Sequence, residues 1–415
     1  MQTRFFAGFD RAEDDDDETG HELLFDDEGL ATRTSHEQQH TEQSVLRLLR
    51  HGRVGAPTLQ RDEHITYLLS ALEGLSPSFA GLDSSKPWLC YWIWHALDLL
   101  GEPISPRLAL RTVGFLRHCQ DPRGGFCGGP QQLPHLAPTY ASVLTLATLG
   151  HEDGWRMVDR RALLRWLLSL KRPDGSFAMH LDGEADVRAT YCALAVATAL
   201  DVATPELRAG AAEFVARCQT HEGGFAGVPG NEAHGGYTFC AVAAAALLGA
   251  LGAVDAEAAL EWAARRQMRL EGGFAGRANK LVDSCYSFWV GAVPVMLHRQ
   301  RAGAAAAGVE VLDADISRGD YVFDQFGLQE YLLHCCQNPR GTGGMCDKPG
   351  KSADLYHTCY ALSGLSLAQH NPDPLAGHSV LGSAANRLRR TDPVYNVTEG
   401  KMQRMIAFFR SLPLE

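Results

Sequence analysis

An all-α fold of repeated helical hairpins is what this sequence predicts, and two observations carry the expectation. A Gly-Gly-Phe-like turn recurs as Gly124-Gly125-Phe126, Gly175-Ser176-Phe177, Gly223-Gly224-Phe225, Gly272-Gly273-Phe274 and the weaker Gly343-Gly344-Met345. With Gly125, Gly175, Gly224 and Gly273 as markers the steps are 50, 49 and 49 residues, room for two helices and their turns. Between the turns, stretches such as Arg161 to Leu168 and Ala241 to Leu248 have helix-forming composition and little strand-like alternation. Repeated hairpins can extend as a solenoid or close into a ring, and the period alone leaves both open.

The same repeat argues for one domain from about residue 41 to 415, although 415 residues with 45% hydrophobic content could fill two or three. Gly344 lies 71 residues beyond Gly273, which places an insertion around Ala302 to Asp320. Residues 1 to 40 hold the run Asp14-Asp15-Asp16-Asp17-Glu18 and few apolar residues, so they are expected to form a disordered, solvated arm without chemistry.

A formal net charge of -11 excludes a general nucleic-acid binder, because neutralising phosphates takes clustered Lys and Arg. It does not favour an anionic membrane surface either. Eleven Cys scattered through helix-like segments, including the neighbours Cys335 and Cys336, do not form a secreted disulfide framework. With no apolar run near the length of a membrane span, the expectation is a cytoplasmic protein.

Three constellations could carry chemistry. Asp283 and Cys285, followed 72 residues later by His357, offer carboxylate, thiolate and imidazole, a competent three-ligand zinc set with one position left open. So long a spacing is equally that of a small core Cys and an ordinary buried His. His234-Gly235-Gly236-Tyr237 at a helix start, with Arg277, Lys280 and Tyr286 around the next turn, could hold a diphosphate, the glycines letting backbone approach the ligand. An exposed basic turn would look the same. Trp88, Trp92, Tyr140, Tyr191, Tyr237 and Trp289 recur in successive repeats and suit either core packing or a deep apolar pocket.

Longer motifs add a resemblance. Lys86 to Trp92, Pro134 to Tyr140, Glu232 to Cys240, Arg277 to Trp289 and Asp347 to Lys351 are collinear with, and resemble, the β subunits of protein farnesyltransferases; the likeness runs from about Gln43 to Tyr395-Asn396. The resemblance implies an α/α toroid with an apolar central cavity, a catalytic Zn2+ held by Asp283, Cys285 and His357, and diphosphate binding by His234, Arg277, Lys280 and Tyr286. It implies isoprenoid contacts at Arg188, Tyr191, Tyr237, Cys240 and Trp289, and contacts to the last residue of a target peptide at Trp88, Trp92, Ala137 and Tyr356. Mg2+ at Asp347, an α-subunit partner, farnesyl diphosphate and CaaX-motif proteins as substrates follow from the same resemblance. Trp88 and Asp347 favour farnesyl over the geranylgeranyl transfer of the type I relatives. Lys171 departs from the Gln of the other repeats, and Ala278 from another small residue.

Overall fold

The computed structural model describes residues 29–52, 56–306, 323–372 and 378–414. The acidic run and most of the expected insertion lie outside these residues. Helix α1 (Arg33–Gly52) begins inside the stretch assigned to the arm, so the boundary at 40 falls within a helix.

Six hairpins follow among the described residues. Each pairs an outer helix with an inner one: α2 (Arg61–Glu73) with α3 (Lys86–Leu100), and α4 (Pro106–Cys119) with α5 (Leu136–Leu149). After the short α6 (Glu152–Arg156), α7 (Arg160–Leu170) pairs with α8 (Val187–Ala199). After the one-turn α9 (Pro205–Arg208), α10 (Ala211–Arg217) pairs with α11 (Gly235–Leu248). Then α12 (Ala256–Ala264) joins α13 (Tyr286–Trp289) and α14 (Ala292–Ala306), and α15 (Gln325–Glu330) joins α16 (Leu355–Gln369). Outer helices bury one stripe, as α7 buries Ala162, Leu163, Trp166, Leu167 and Leu170. Inner helices are apolar all round: every residue of α5 from Pro138 to Leu149 is buried.

The chain closes on itself. Helix α3 packs on α5, α5 on α8, α8 on α11, α11 on α13 and α14, α13 on α16, and α16 returns to α3. A toroid, not a solenoid, is therefore the outcome of the repeat. Gln side chains staple neighbouring hairpins: Gln219 bonds the Gly223 carbonyl and both backbone groups of Asp255, the N-cap of α12. Gln267 does the same for Gly272 and Asp324. Lys171, the sequence's departure, still reaches the Gly175 carbonyl at 2.9 Å. At the seam Gln337 binds the Gln60 N–H (2.8 Å) and the Thr58 carbonyl (3.0 Å), while His64 accepts the Gly344 N–H (2.9 Å) and bonds Gln337 (3.0 Å).

All inner helices start on one rim. The amide at five of the six inner N-termini donates to a carbonyl in the next hairpin's turn: Lys86 to Gly128 (3.0 Å), Leu136 to Met179 (2.8 Å), Val187 to Gly227 (3.0 Å), Gly235 to Gly276 (2.8 Å) and Ser284 to Asp347 (2.8 Å). Their C-termini share the opposite end, where cationic side chains bind the terminal carbonyls. Arg61 reaches Leu100, Arg160 reaches Leu200 (2.8 Å), Arg208 reaches Leu247 (3.4 Å) and Arg390 reaches Asn371 (2.9 Å). That end is floored by residues 394–396, whose carbonyls lie within hydrogen-bonding distance of the buried hydroxyls of Tyr191 (2.6 Å), Tyr140 (3.2 Å) and Tyr91 (2.6 Å). Helix α17 (Lys401–Arg410) then packs outside α5 and α8.

The seam should matter more than any equivalent joint. Gln337→Ala removes four bonds from a site only 8% exposed and is expected to cost about 2–4 kcal/mol. Gln219→Ala, at a half-buried joint within the ring, should cost about 1 kcal/mol. Parallel thermal unfolding of the two variants tests this, and equal losses would remove the special status of the seam.

Candidate active site

The Asp283, Cys285 and His357 side chains converge although 72 residues separate the last two. One ligand atom from each lies within 4.8 Å of the others. Ring closure brings them together: Asp283 and Cys285 lead into α13, His357 sits in the first turn of α16, and those helices pack on each other. Asp283 Oδ1 accepts the Cys285 N–H (2.9 Å) and lies 3.4 Å from His357 Nε2. Asp354, the N-cap of α16, accepts the His357 N–H (2.8 Å) and holds Nδ1 of the same ring at 2.6 Å. That bond places the Nδ1 proton and leaves Nε2 directed at Asp283, the arrangement of a metal-ligating His.

Electrostatics point the same way. Burial pushes the Cys285 thiol well above its ordinary range, and the Asp283 charge pushes it further. Burial opposes a charge on His357, but its hydrogen bonds to the Asp283 and Asp354 carboxylates win and raise it to about 9. Two carboxylates thus hold an imidazolium between them, and the thiol ionises only if another cation arrives. The donor set therefore fits a divalent ion with a preference for sulfur and nitrogen.

Beside it stands an anion-facing group. His234 caps α11 with Nδ1 accepting the Gly236 N–H (3.0 Å), so its proton is on Nε2, 3.0 Å from the Tyr286 hydroxyl. Burial and then the Arg277 charge lower its pKa and keep it neutral. Nε2–H donates to Tyr286, whose own hydroxyl proton is left free for a ligand. Arg277 pairs with Glu232 at 2.8 Å, and Lys280 is exposed with no side-chain hydrogen bond or ion pair among the described residues. The glycines have a different reason from the one expected. A Cβ on Gly235 would meet Val290 at 2.7 Å and Tyr286 at 2.9 Å, and the Gly236 amide is spent on His234. Gly235 thus serves helix packing, and the Gly236 amide serves the cap.

Inside the rim the aromatic side chains form a continuous circuit around all six inner positions. Ring centroids run Trp88–Tyr140 5.8 Å, Tyr140–Tyr191 5.3 Å, Tyr191–Phe239 5.3 Å and Phe239–Trp289 5.0 Å. The circuit continues Trp289–Tyr360 4.4 Å, Tyr360–Tyr356 4.8 Å, Tyr356–Trp92 5.4 Å and back to Trp88 at 5.8 Å. Trp88, Trp92, Tyr237, Trp289 and Tyr356 keep partial exposure on otherwise buried helices, as residues facing an axial space should. Arg188, gripped by Asp186 (2.6 Å), lies 5.6 Å over the Tyr237 ring, and Cys240 is buried one turn along α11 from it. Ala137 occupies the first turn of α5 at the same rim.

Asp347 lies beside the triad, its carbonyl accepting from Ser284 and its half-buried carboxylate held by Lys348. Sequence reasoning did not single out Asp354, Glu232, Phe239 or Tyr360. Asp354 had a readable signal, a capping carboxylate three residues before His357. Glu232 had none.

Comparison with known proteins places this geometry. Residues 59–397 match the family described as prenyltransferase alpha-alpha toroid domain. A protein farnesyltransferase subunit beta of Pisum sativum is 41% identical over 79% of this chain and 90% of its own length. One from Schizosaccharomyces pombe is 39% identical over 90% and 96%. The chain belongs to the protein farnesyltransferase β-subunit family. Among solved structures, the Candida albicans protein geranylgeranyltransferase-I complexed with GGPP superimposes with a TM-score of 0.65, covering 84% of this chain and 98% of that one. At 22% identity it supports the toroid of the family and nothing finer.

Asp354 gives this family member a testable second layer. Asp354→Asn should weaken binding of a divalent metal at the triad about 10- to 100-fold, measured by competition with a chromogenic chelator. Without metal, the raised His357 pKa contributes stability that is complete below the ordinary value of 6.5 and is lost as pH climbs through about 9. Thermal melts of the metal-free protein across that window should fall less steeply in Asp354→Asn. Identical slopes would count against the Asp354–His357 bond.

Proposed function

We propose that this chain is the catalytic subunit of a protein farnesyltransferase. Paired with an α subunit, it transfers the farnesyl group of farnesyl diphosphate to the cysteine thiol of proteins ending in Cys-aliphatic-aliphatic-X. The observation that carries the reading is a single first turn: Cys285 of the ligand triad and Tyr286 of the anion-facing group are consecutive, above an axis lined by aromatics.

Asp283, Cys285 and His357 would hold Zn2+, the chemistry of which is to keep the target cysteine as a thiolate near neutral pH. Two anionic ligands and a neutral imidazole leave the site near overall neutrality, so electron density stays on the incoming sulfur. In the transfer the sulfur forms a bond to the first carbon of the allylic chain, the carbon–oxygen bond breaks, and diphosphate leaves with the electron pair. Charge grows on the departing oxygens, and the free Tyr286 proton and the cations Arg277 and Lys280 would receive it. Arg277 would exchange Glu232 for the diphosphate. Asp347 is a candidate ligand for Mg2+ if Lys348 swings away.

The isoprenoid would lie along the aromatic circuit, with Arg188, Tyr191, Tyr237, Cys240 and Trp289 on one side. Trp88, Trp92, Ala137 and Tyr356 would meet the end of the target peptide. Trp88 touches Trp92, Tyr91 and Tyr140 and so limits the depth available. A close-packed wall yields no room for another isoprene unit.

Two measurements test this reading. Cys285→Ala or His357→Ala should abolish zinc binding and prenylation of a CaaX peptide by the heterodimer while leaving its circular dichroism unchanged; an active, zinc-loaded double variant would refute it. Trp88→Thr frees apolar volume that one more isoprene unit could bury at about 25 cal/mol per Å2. The kcat/KM ratio for geranylgeranyl over farnesyl diphosphate should rise at least about tenfold. A stable variant with an unchanged ratio would show that depth is set elsewhere.

A further inference from the structure

The closed end of the toroid, opposite the candidate active site, carries a second charged cavity of about 810 Å3. Five cations line it, Arg387, Arg389, Arg390, Lys401 and Arg404, with the single carboxylate Glu399. This concentration stands on a chain with net charge -11.

Helix capping accounts for part of the cluster. Arg389 pairs with the buried Asp98 (2.6 Å) and the Gly101 carbonyl (3.4 Å), and Lys401 pairs with Asp98 (2.9 Å) and the Thr148 carbonyl (2.5 Å). Arg390 serves the Asn371 carbonyl and lies 3.8 Å from Glu399, which Arg299 already binds at 2.6 Å. Arg387 and Arg404 are left over: among the described residues neither makes a side-chain hydrogen bond or ion pair, and both are exposed into the cavity. Among the described residues three carboxylates, Asp98, Glu399 and, beside Arg299, Asp392, thus face six cations counting Arg299.

The cations also act on one another. Burial lowers the pKa of His370, in the wall of the cavity; its hydrogen bond to the Ser366 carbonyl opposes the shift, Arg390, Arg387 and His378 add to it, and the outcome is about 4. Burial likewise lowers Lys401; Asp98 opposes the shift, while Arg389 and Arg404 add to it. The ten-residue helix α17 starts here as well, adding the positive end of its dipole.

We propose that this cavity binds a small molecule bearing several clustered phosphate groups, held by Arg387 and Arg404 with Lys401 and Arg390 behind them. Five cations around a cavity of about 810 Å3 exceed the charge of one phosphate. Arginine forks match phosphate oxygens in pairs. A single-stranded nucleic acid is disfavoured because no Phe, Tyr or Trp lines the cavity as a platform for base stacking. Ligand here would tie residues 387–390 to residues 401–404 and so brace the floor segment 394–396 that they flank.

Isothermal titration of the heterodimer with inositol hexakisphosphate, and separately with tripolyphosphate, tests the site. Farnesyl diphosphate is kept saturating so that the opposite rim is filled, and ionic strength is physiological. One saturable equivalent is expected. Arg387→Glu/Arg404→Glu should weaken it by at least about tenfold, and Arg387→Lys/Arg404→Lys should largely restore it. The tighter probe tells an inositol phosphate from a linear polyphosphate source. No saturable binding with farnesyl diphosphate present, or binding unmoved by charge reversal, would each overturn the proposal. Should the charge-reversed pair fail to fold, amide exchange on the wild-type complex decides: protection gained across residues 387–404 supports the site, and its absence sinks it.

Discussion

One constraint organises the molecule: the inner helices run parallel in a closed ring, locked rim to rim by backbone bonds such as Leu136 to Met179 and Gly235 to Gly276. A parallel ring cannot cancel its peptide dipoles as an antiparallel bundle does. Positive helix ends collect at one rim and negative ends at the other. The first rim is a ready place for anions and carboxylates; the second requires cations. Arg61, Arg160, Arg208, Arg390 and Lys401 meet that requirement, each interaction being worth about 0.3–1 kcal/mol.

Capping at the first rim couples fold to chemistry. The inner helices use His135, Asp186, His234 and Asp354 as N-caps, all of which carry a second polar atom. In Asp186 that atom grips Arg188, in His234 it meets Tyr286, and in Asp354 it holds the His357 ring. A Ser or Thr cap would satisfy the backbone equally well but could not position a neighbour in this way. The candidate site is thus built largely from groups that the helices need anyway.

The repeat was legible because its turns demand glycine: Gly124, Gly175, Gly223, Gly272 and Gly343 all have positive φ, and a Cβ at Gly175 would sit 1.9 Å from the Gly210 carbonyl oxygen. The first hairpin was not legible, since a 3-10 stretch from Pro77 to Ser85 replaces the glycine turn between α2 and α3. Closure was hidden for another reason. It depends on Gln337 meeting Gln60, 277 residues apart, and no local pattern encodes such a pairing. Residues of the site read from motifs, such as His234 and Tyr286, do meet. Partners supplied across hairpins, such as Glu232 for Arg277, had no signature in spacing.

The aromatic circuit follows from closure as well. Six inner helices around one axis leave a space that alanines, as in Ala243 to Ala245, would leave open and larger side chains must line. Trp, Tyr and Phe do so from successive inner helices, with ring centroids 4.4–5.8 Å apart. Polar ends of these rings find partners without leaving the apolar lining: Trp289 Nε1 donates to the Tyr356 hydroxyl, and Tyr140 and Tyr191 turn theirs to the floor. The floor segment therefore satisfies hydroxyls that would otherwise be stranded at the base of an apolar space, each costing about 1–3 kcal/mol. Depth, wall and floor are one hydrogen-bonded unit, so a change of bulk at Trp88 acts on a rigid boundary rather than on a yielding one.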